Sequence, residues 1–161
     1  MLVNTSKYHC QHAHILCILL ASMINRITTL RTLDISKNKI QNLGRLSHLK
    51  DLKSFNCDEN VLTINSLKPI SNLSKLQTLS VGKNQLDNQL PVVTAFPSLP
   101  SKIRQLKLNG NSLTAIPKQI CEAISLEKLD LSFNNIAAIP PEICKLGKKG
   151  MITLLWALLC S

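Results

Sequence analysis

The side chains best suited to chemistry crowd the start of the chain. In "HCQHAH", residues 9–14, His9, Cys10, His12 and His14 are all competent metal ligands. A structural zinc site closes with a second ligand pair beyond a loop, and none follows, so the stretch reads as an exposed polar lead-in and no metal is expected. Cys57, in "LKSFNCDEN", falls at an inward-pointing position of an alternating segment, where a thiol is a core residue and a poor nucleophile. His48 stands alone. No glycine-rich phosphate loop and no Gly-x-Ser-x-Gly turn is present. Asn4 and Asn72 begin N-x-Ser sequons, which matter only in a secreted chain. These residues support neither an enzyme nor a cofactor.

Asparagine is the polar residue that recurs in a fixed setting. Asn38, Asn60, Asn84, Asn111 and Asn134 lie 22, 24, 27 and 23 residues apart. Each closes a copy of the pattern LxxLxLxxN: "LRTLDISKNKI" at 30–40, "LKSFNCDENVL" at 52–62, "LQTLSVGKNQL" at 76–86, "IRQLKLNGNSL" at 103–113 and "LEKLDLSFNNI" at 126–136. Within a copy the apolar spacing is neither helical nor fully alternating. It suits a short strand followed by a turn.

Residues 24–144, with these five copies, resemble the leucine-rich repeat superfamily. The resemblance implies an α/β solenoid. Each repeat gives one strand of a parallel sheet on the concave face of an arc, and loops or short helical turns form the convex face. No repeat can bury its apolar side alone, so neighbours stack with strands about 4.8 Å apart. The resemblance also implies that the asparagine side chains form a ladder, satisfying backbone groups buried in the turns. Each such group left unpaired costs roughly 1–3 kcal/mol.

The early repeats, with apolar residues at steps of three from Ile24 to Leu52, resemble the intracellular class of roughly 22 residues. "LTAIPKQIC" and "IAAIPPEIC" resemble the class of roughly 23 residues found in cytoplasmic scaffolds. Pro117 and Pro140 are expected to open convex helical turns. Cys121 and Cys144 occupy equivalent places and read as structural thiols.

The whole chain, at 161 residues, is one domain's length. Its six cysteines form no Cys-x-x-Cys pair, which suits a reducing compartment, and the expected location is cytoplasmic or nuclear. Nineteen Lys and Arg against nine Asp and Glu give a net charge of +10. "HILCILLASMI", 14–24, is too short to span a bilayer. With only Lys7 basic before it, it makes a poor signal peptide, so residues 1–23 read as a cap. Residues 145–161 read as a degenerate partial repeat: a step of 23 puts strand anchors at Ile152 and Leu154, and the apolar tail suggests a longer parent protein and self-association. The segment 87–102, with Pro91, Pro97 and Pro100, reads as an insertion bulging from one face.

Function is expected on the concave face. The central strand positions are Asp34, Asn56, Ser80, Lys107 and Asp130, joined further out by Ser36, Asp58, Lys83, Asn109 and Phe133. Lys37, Lys83, Lys107 and Lys128 cancel Asp34, Asp58, Glu59 and Asp130, so the excess charge falls on the convex side and flanks, as solvated surface. Lys107 and Asp130 share a column and are placed to pair. A neutral, mixed face whose one aromatic candidate is Phe133 favours a protein partner over nucleic acid, which wants a basic face with stacking platforms. Phe133 is either an anchor for that partner or packed on the neighbouring turn. An extracellular receptor fragment and a ribonucleoprotein component are the alternatives.

Overall fold

Each copy of the pattern yields a three-residue strand centred on its second leucine position. In the computed structural model, which describes residues 2–4, 29–87, 96–149 and 153–155, these are β2 (Thr32–Asp34), β3 (Ser54–Asn56), β4 (Thr78–Ser80), β5 (Gln105–Lys107) and β6 (Lys128–Asp130). β1 (Leu2–Asn4) and β7 (Thr153–Leu155) flank them, giving seven parallel strands in chain order among the described residues.

Register is held by the core. Leu33 pairs with Phe55, Phe55 with Leu79, Leu79 with Leu106 and Leu106 with Leu129. All five are at most 1% exposed, and a slip of one residue would turn each to solvent. The strands are short because the ladder continues into the turns. Ile35 N–H donates to Asn56 O at 2.9 Å, Cys57 N–H to Ser80 O at 2.9 Å, Val81 N–H to Lys107 O at 2.9 Å and Leu108 N–H to Asp130 O at 2.8 Å. The fold is thus a solenoid arc with its sheet on the concave side.

The convex side is mixed. Ile64–Asn72 is a 3-10 helix that buries Ile64, Leu67 and Ile70 and tolerates Pro69. The Ser66 hydroxyl donates to Gln41 O, tying this segment to the repeat before it. Pro117 caps the helix Lys118–Cys121 from just outside it, and Pro140 accepts the Ile143 N–H at the start of the 3-10 helix Pro141–Lys149. The prolines therefore stand one place before the first helical residue.

Three expectations need correcting. The second half of the 87–102 insertion does not bulge: Phe96 is 4% exposed within the core, Pro97 and Pro100 are buried and Leu99 packs against the core. Phe96 supplies the convex apolar contact that a leucine supplies elsewhere. The C-terminal register also differs, because Leu129 pairs with Leu154, a step of 25 that puts Leu154 in the first anchor's place. Cys144, unlike its counterpart Cys121, is exposed. The same contrast holds for the turn that follows β6. Leu131 and Ile136 are only partly buried and Ile139 is 46% exposed, whereas Leu108 and Leu113 are 0% and Ile116 6% exposed.

The histidine cluster 9–14, the apolar stretch 14–24, Pro91 and Trp156 lie outside the described residues. Among those described, no helix is long and apolar enough to cross a membrane.

Candidate partner-binding face

The turn that follows each strand sets what the concave face can offer. Each asparagine bonds carbonyls two and three residues back in its own turn and, except for Asn38, one in the preceding repeat. Asn60 Nδ2 donates to Cys57 O, Asp58 O and Ile35 O, all at 3.1 Å. Asn111 Nδ2 donates to Leu108 O at 2.9 Å, Asn109 O at 3.4 Å and Val81 O at 3.0 Å. Asn84 and Asn134 repeat this on Cys57 O and Leu108 O, and Asn38 bonds Ile35 O and Ser36 O. The amide oxygens reach back too, accepting from Ile40 N–H (Asn60), Leu62 N–H (Asn84), Leu86 N–H (Asn111) and Leu113 N–H (Asn134).

Closing this turn bends the chain one residue before the asparagine. Lys37, Glu59, Lys83 and Phe133 have φ between 52° and 58°, and Gly110, in the same place, has φ 67°. A side chain in this left-handed conformation costs about 1–2 kcal/mol, and four of the five repeats carry one.

The strand-exit residues are largely spent on one another. Asp34 Oδ1 accepts the Ser36 N–H at 2.9 Å, Asn56 Oδ1 the Asp58 N–H at 3.1 Å and Asp130 Oδ1 the Ser132 N–H at 3.0 Å. Between repeats, Asn56 Nδ2 donates to Asp34 Oδ2 at 3.2 Å, and Asp58 accepts Ser80 Oγ–H at 2.8 Å and Gly82 N–H at 2.6 Å. Ser36 and Ser80 are buried at 7% and 8% exposure. Lys83 pairs with Glu59 at 3.2 Å, both well exposed. The ion pair expected between Lys107 and Asp130 does not form, although the residues are strand neighbours. Asp130 instead turns to the Ser132 hydroxyl at 2.7 Å, a bond its own turn supplies without ordering a lysine chain.

Of the residues expected on the face, Lys107 and Phe133 are exposed outside any ion pair among the described residues, Lys83 is exposed in its pair with Glu59, and Asn109 is half-buried. Phe133 is 74% exposed, so its ring is not packed on the neighbouring turn. Asn109 lies over Gly82, whose missing side chain makes room: a Cβ there would stand 2.6 Å from Asn109 Oδ1. Cys57 is fully buried and donates Sγ–H to Ser80 O at 3.2 Å. Burial, with Asp58 and Asp34 nearby, pushes its thiol well up from the ordinary range, so it stays protonated. Among the described residues no group of three metal-ligating side chains comes together.

Sequence reasoning missed the residue just before each strand: Arg31, Lys53, Gln77, Arg104 and Glu127. Their recurrence one place after the repeat's first apolar residue was the available signal. Arg104 pairs with Glu127 at 3.0 Å, and Lys75 with Asp51 at 2.6 Å.

Residues 26–47 and 125–146 each match a leucine-rich repeat family model. The chain is 27% identical over 108 residues to human Toll-like receptor 1. It belongs to the leucine-rich repeat superfamily. That match covers 64% of this chain and 13% of the receptor. Among solved structures, a leucine-rich repeat protein of Leptospira interrogans is 30% identical with a TM-score of 0.62, over 80% of this chain and 32% of the other. The Arabidopsis receptor kinase HAESA, solved in complex with a peptide hormone and a co-receptor, superposes with the same score at 22% identity, over 97% of this chain and 25% of its own, and shares the fold. This leucine-rich repeat chain therefore spans a third or less of the length of these relatives.

Proposed function

We propose that this leucine-rich repeat chain is a non-enzymatic protein-binding module that recognises a partner protein on its concave face. The observation that carries the reading is Phe133, a large apolar ring 74% exposed in the turn that follows β6. An exposed aromatic ring on a backbone pinned by its turn is the kind of anchor on which binding hot spots are built. The solved HAESA complex, with a peptide hormone and a co-receptor, supports reading the fold as a binding module.

The role is that of a scaffold or regulatory subunit in a reducing compartment, cytoplasmic or nuclear. Supporting this, Cys57, Cys121 and Cys144 are free thiols. The half-covered fifth repeat, with Ile139 46% exposed, supports self-association through the C-terminal end.

The test is affinity purification with the tagged chain, followed by calorimetry on the recovered partner at two salt concentrations. Phe133→Ala is expected to weaken that complex by about 2 kcal/mol, and Lys107→Glu to weaken it less. Both residues are exposed, so the fold should persist. Unchanged affinity in both variants would remove the concave-face reading.

A further inference from the structure

The flank on which the chain enters each strand carries charge that the concave face lacks. Arg31, Lys53, Gln77, Arg104 and Glu127 occupy one column there, and each main chain is tied to the next. Lys53 N–H donates to Arg31 O, Gln77 N–H to Lys53 O, Arg104 N–H to Gln77 O and Glu127 N–H to Arg104 O, all at 2.8 Å. The column therefore has the strand spacing and runs about 19 Å from first repeat to fifth, the length of roughly six residues of extended chain.

Beside this column lie two clefts. One, of about 450 Å³, is lined by Arg31, Asp51, Lys53, Lys75, Gln77 and Lys102. The other, of about 460 Å³, shares Gln77 and Lys102 and continues past Arg104 to Ile124 and Glu127. Shared walls make them one groove. Its first half holds four cations and a single carboxylate. Asp51 is taken by Lys75, whose hydrogen bond and charge, with Arg31 and Lys53 nearby, hold that carboxyl below its usual range. Arg31, Lys53 and Lys102 are left with no ion pair among the described residues. At the far end Arg104 is paired with Glu127, and Ile124 is 67% exposed.

Uncompensated cations on a fixed column create a potential that favours an anionic occupant. A uniform polyanion would run from them onto Glu127 and an apolar side chain. A polypeptide meets both ends with different residues. We propose that this groove binds an extended acidic polypeptide segment, its carboxylates over Arg31, Lys53 and Lys102 and an apolar side chain against Ile124. This surface is separate from the concave face, so Phe133→Ala should leave it unaffected.

The probe is a fluorescein-labelled peptide of roughly six residues, glutamates ending in a leucine, read by anisotropy against the full chain. The double variant Lys53→Glu with Lys102→Glu is expected to weaken binding about tenfold or more, while Lys68→Glu, on the convex helix, leaves it unchanged. Asp51→Asn, which frees Lys75, is expected to tighten binding about threefold, a gain that misfolding cannot mimic. Ile124→Ser should abolish the preference for the leucine-ended peptide over one ending in serine. Three results would overturn the proposal: no binding of the peptide, an equal loss from Lys68→Glu, or tighter groove-dependent binding of a single-stranded oligonucleotide.

Discussion

Replacing Asn111 with alanine tests the turn architecture most directly, because the number of backbone groups it strands can be counted. Asn111 Oδ1 accepts two main-chain donors, Leu86 N–H at 3.1 Å and Asn84 N–H at 3.2 Å, and neither makes another bond among the described residues. Its amide also donates to Val81 O and Leu108 O, but these carbonyls keep Asn84 Nδ2 and Asn134 Nδ2 as partners. The substitution therefore orphans two donors inside a site where Asn111 is 7% exposed. At roughly 1–3 kcal/mol for each buried unpaired group, and with the Asn84 amide only partly buried, the expected loss is about 2–4 kcal/mol.

Asn84→Ala orphans one donor, Leu62 N–H, and should cost about 1–3 kcal/mol. Asn38 bonds within its own turn among the described residues, and Ile35 O keeps Asn60, so Asn38→Ala should cost least of the three. The control is Lys68→Ala, exposed on the convex helix and expected within about 0.5 kcal/mol of the parent. Urea melts followed by far-ultraviolet circular dichroism give the midpoints. The order Asn111, Asn84, Asn38, Lys68 follows from counting orphans. Equal midpoints for Asn111→Ala and Lys68→Ala would refute the ladder as a source of stability.

Other outcomes follow from single observations. Gly110→Ala should cost about 1–2 kcal/mol in the same melts, because φ is +67° and the new Cβ would stand 3.1 Å from Lys83 Cγ, whereas Phe133→Gly should be neutral or stabilising. Alkylation of the native chain mapped by mass spectrometry should label exposed Cys144 and spare Cys57, whose buried thiol stays protonated; labelling of Cys57 at an equal rate would contradict its place in the core. Light scattering should show self-association relieved by Ile139→Lys, and a clean monomer of the parent chain at high concentration would remove that proposal.

What was legible in the sequence is what the repeat forces to recur. Leu33, Phe55, Leu79, Leu106 and Leu129 share one environment, so their spacing announces strands, register and a parallel sheet. The insertion was only half legible. Three prolines mark irregular chain, but nothing local says that Phe96 returns to fill a leucine's place, a decision made by the volume left between neighbouring repeats. The pairing of Lys107 with Asp130 was misjudged because column position alone ignores competition from a hydroxyl two residues away. The flank groove was illegible for a different reason: its cations stand about one repeat apart in sequence, at positions the pattern leaves free, and only stacking gathers them.

The same turn that gives the solenoid its stability limits where it can bind. Asp34, Asn56 and Asp130 look like recognition residues because they are polar, central and on the concave strands. Each spends a side-chain oxygen on the amide two residues ahead, and Asn56 and Asp58 also bridge to a neighbouring repeat. A partner that took these oxygens would have to replace bonds already made, and its net gain would be small. Phe133 is different: its backbone is pinned by the left-handed turn and its ring makes no competing demand. Arg31 and Lys53 are different in the same sense, as their backbone positions are set by the repeats while their charges, like that of Lys102 beside them, stay unpaired among the described residues. Binding energy is therefore available where the repeat constrains the main chain and leaves the side chain idle. That rule selects Phe133 with Lys107 on the concave face, and the basic groove on the flank.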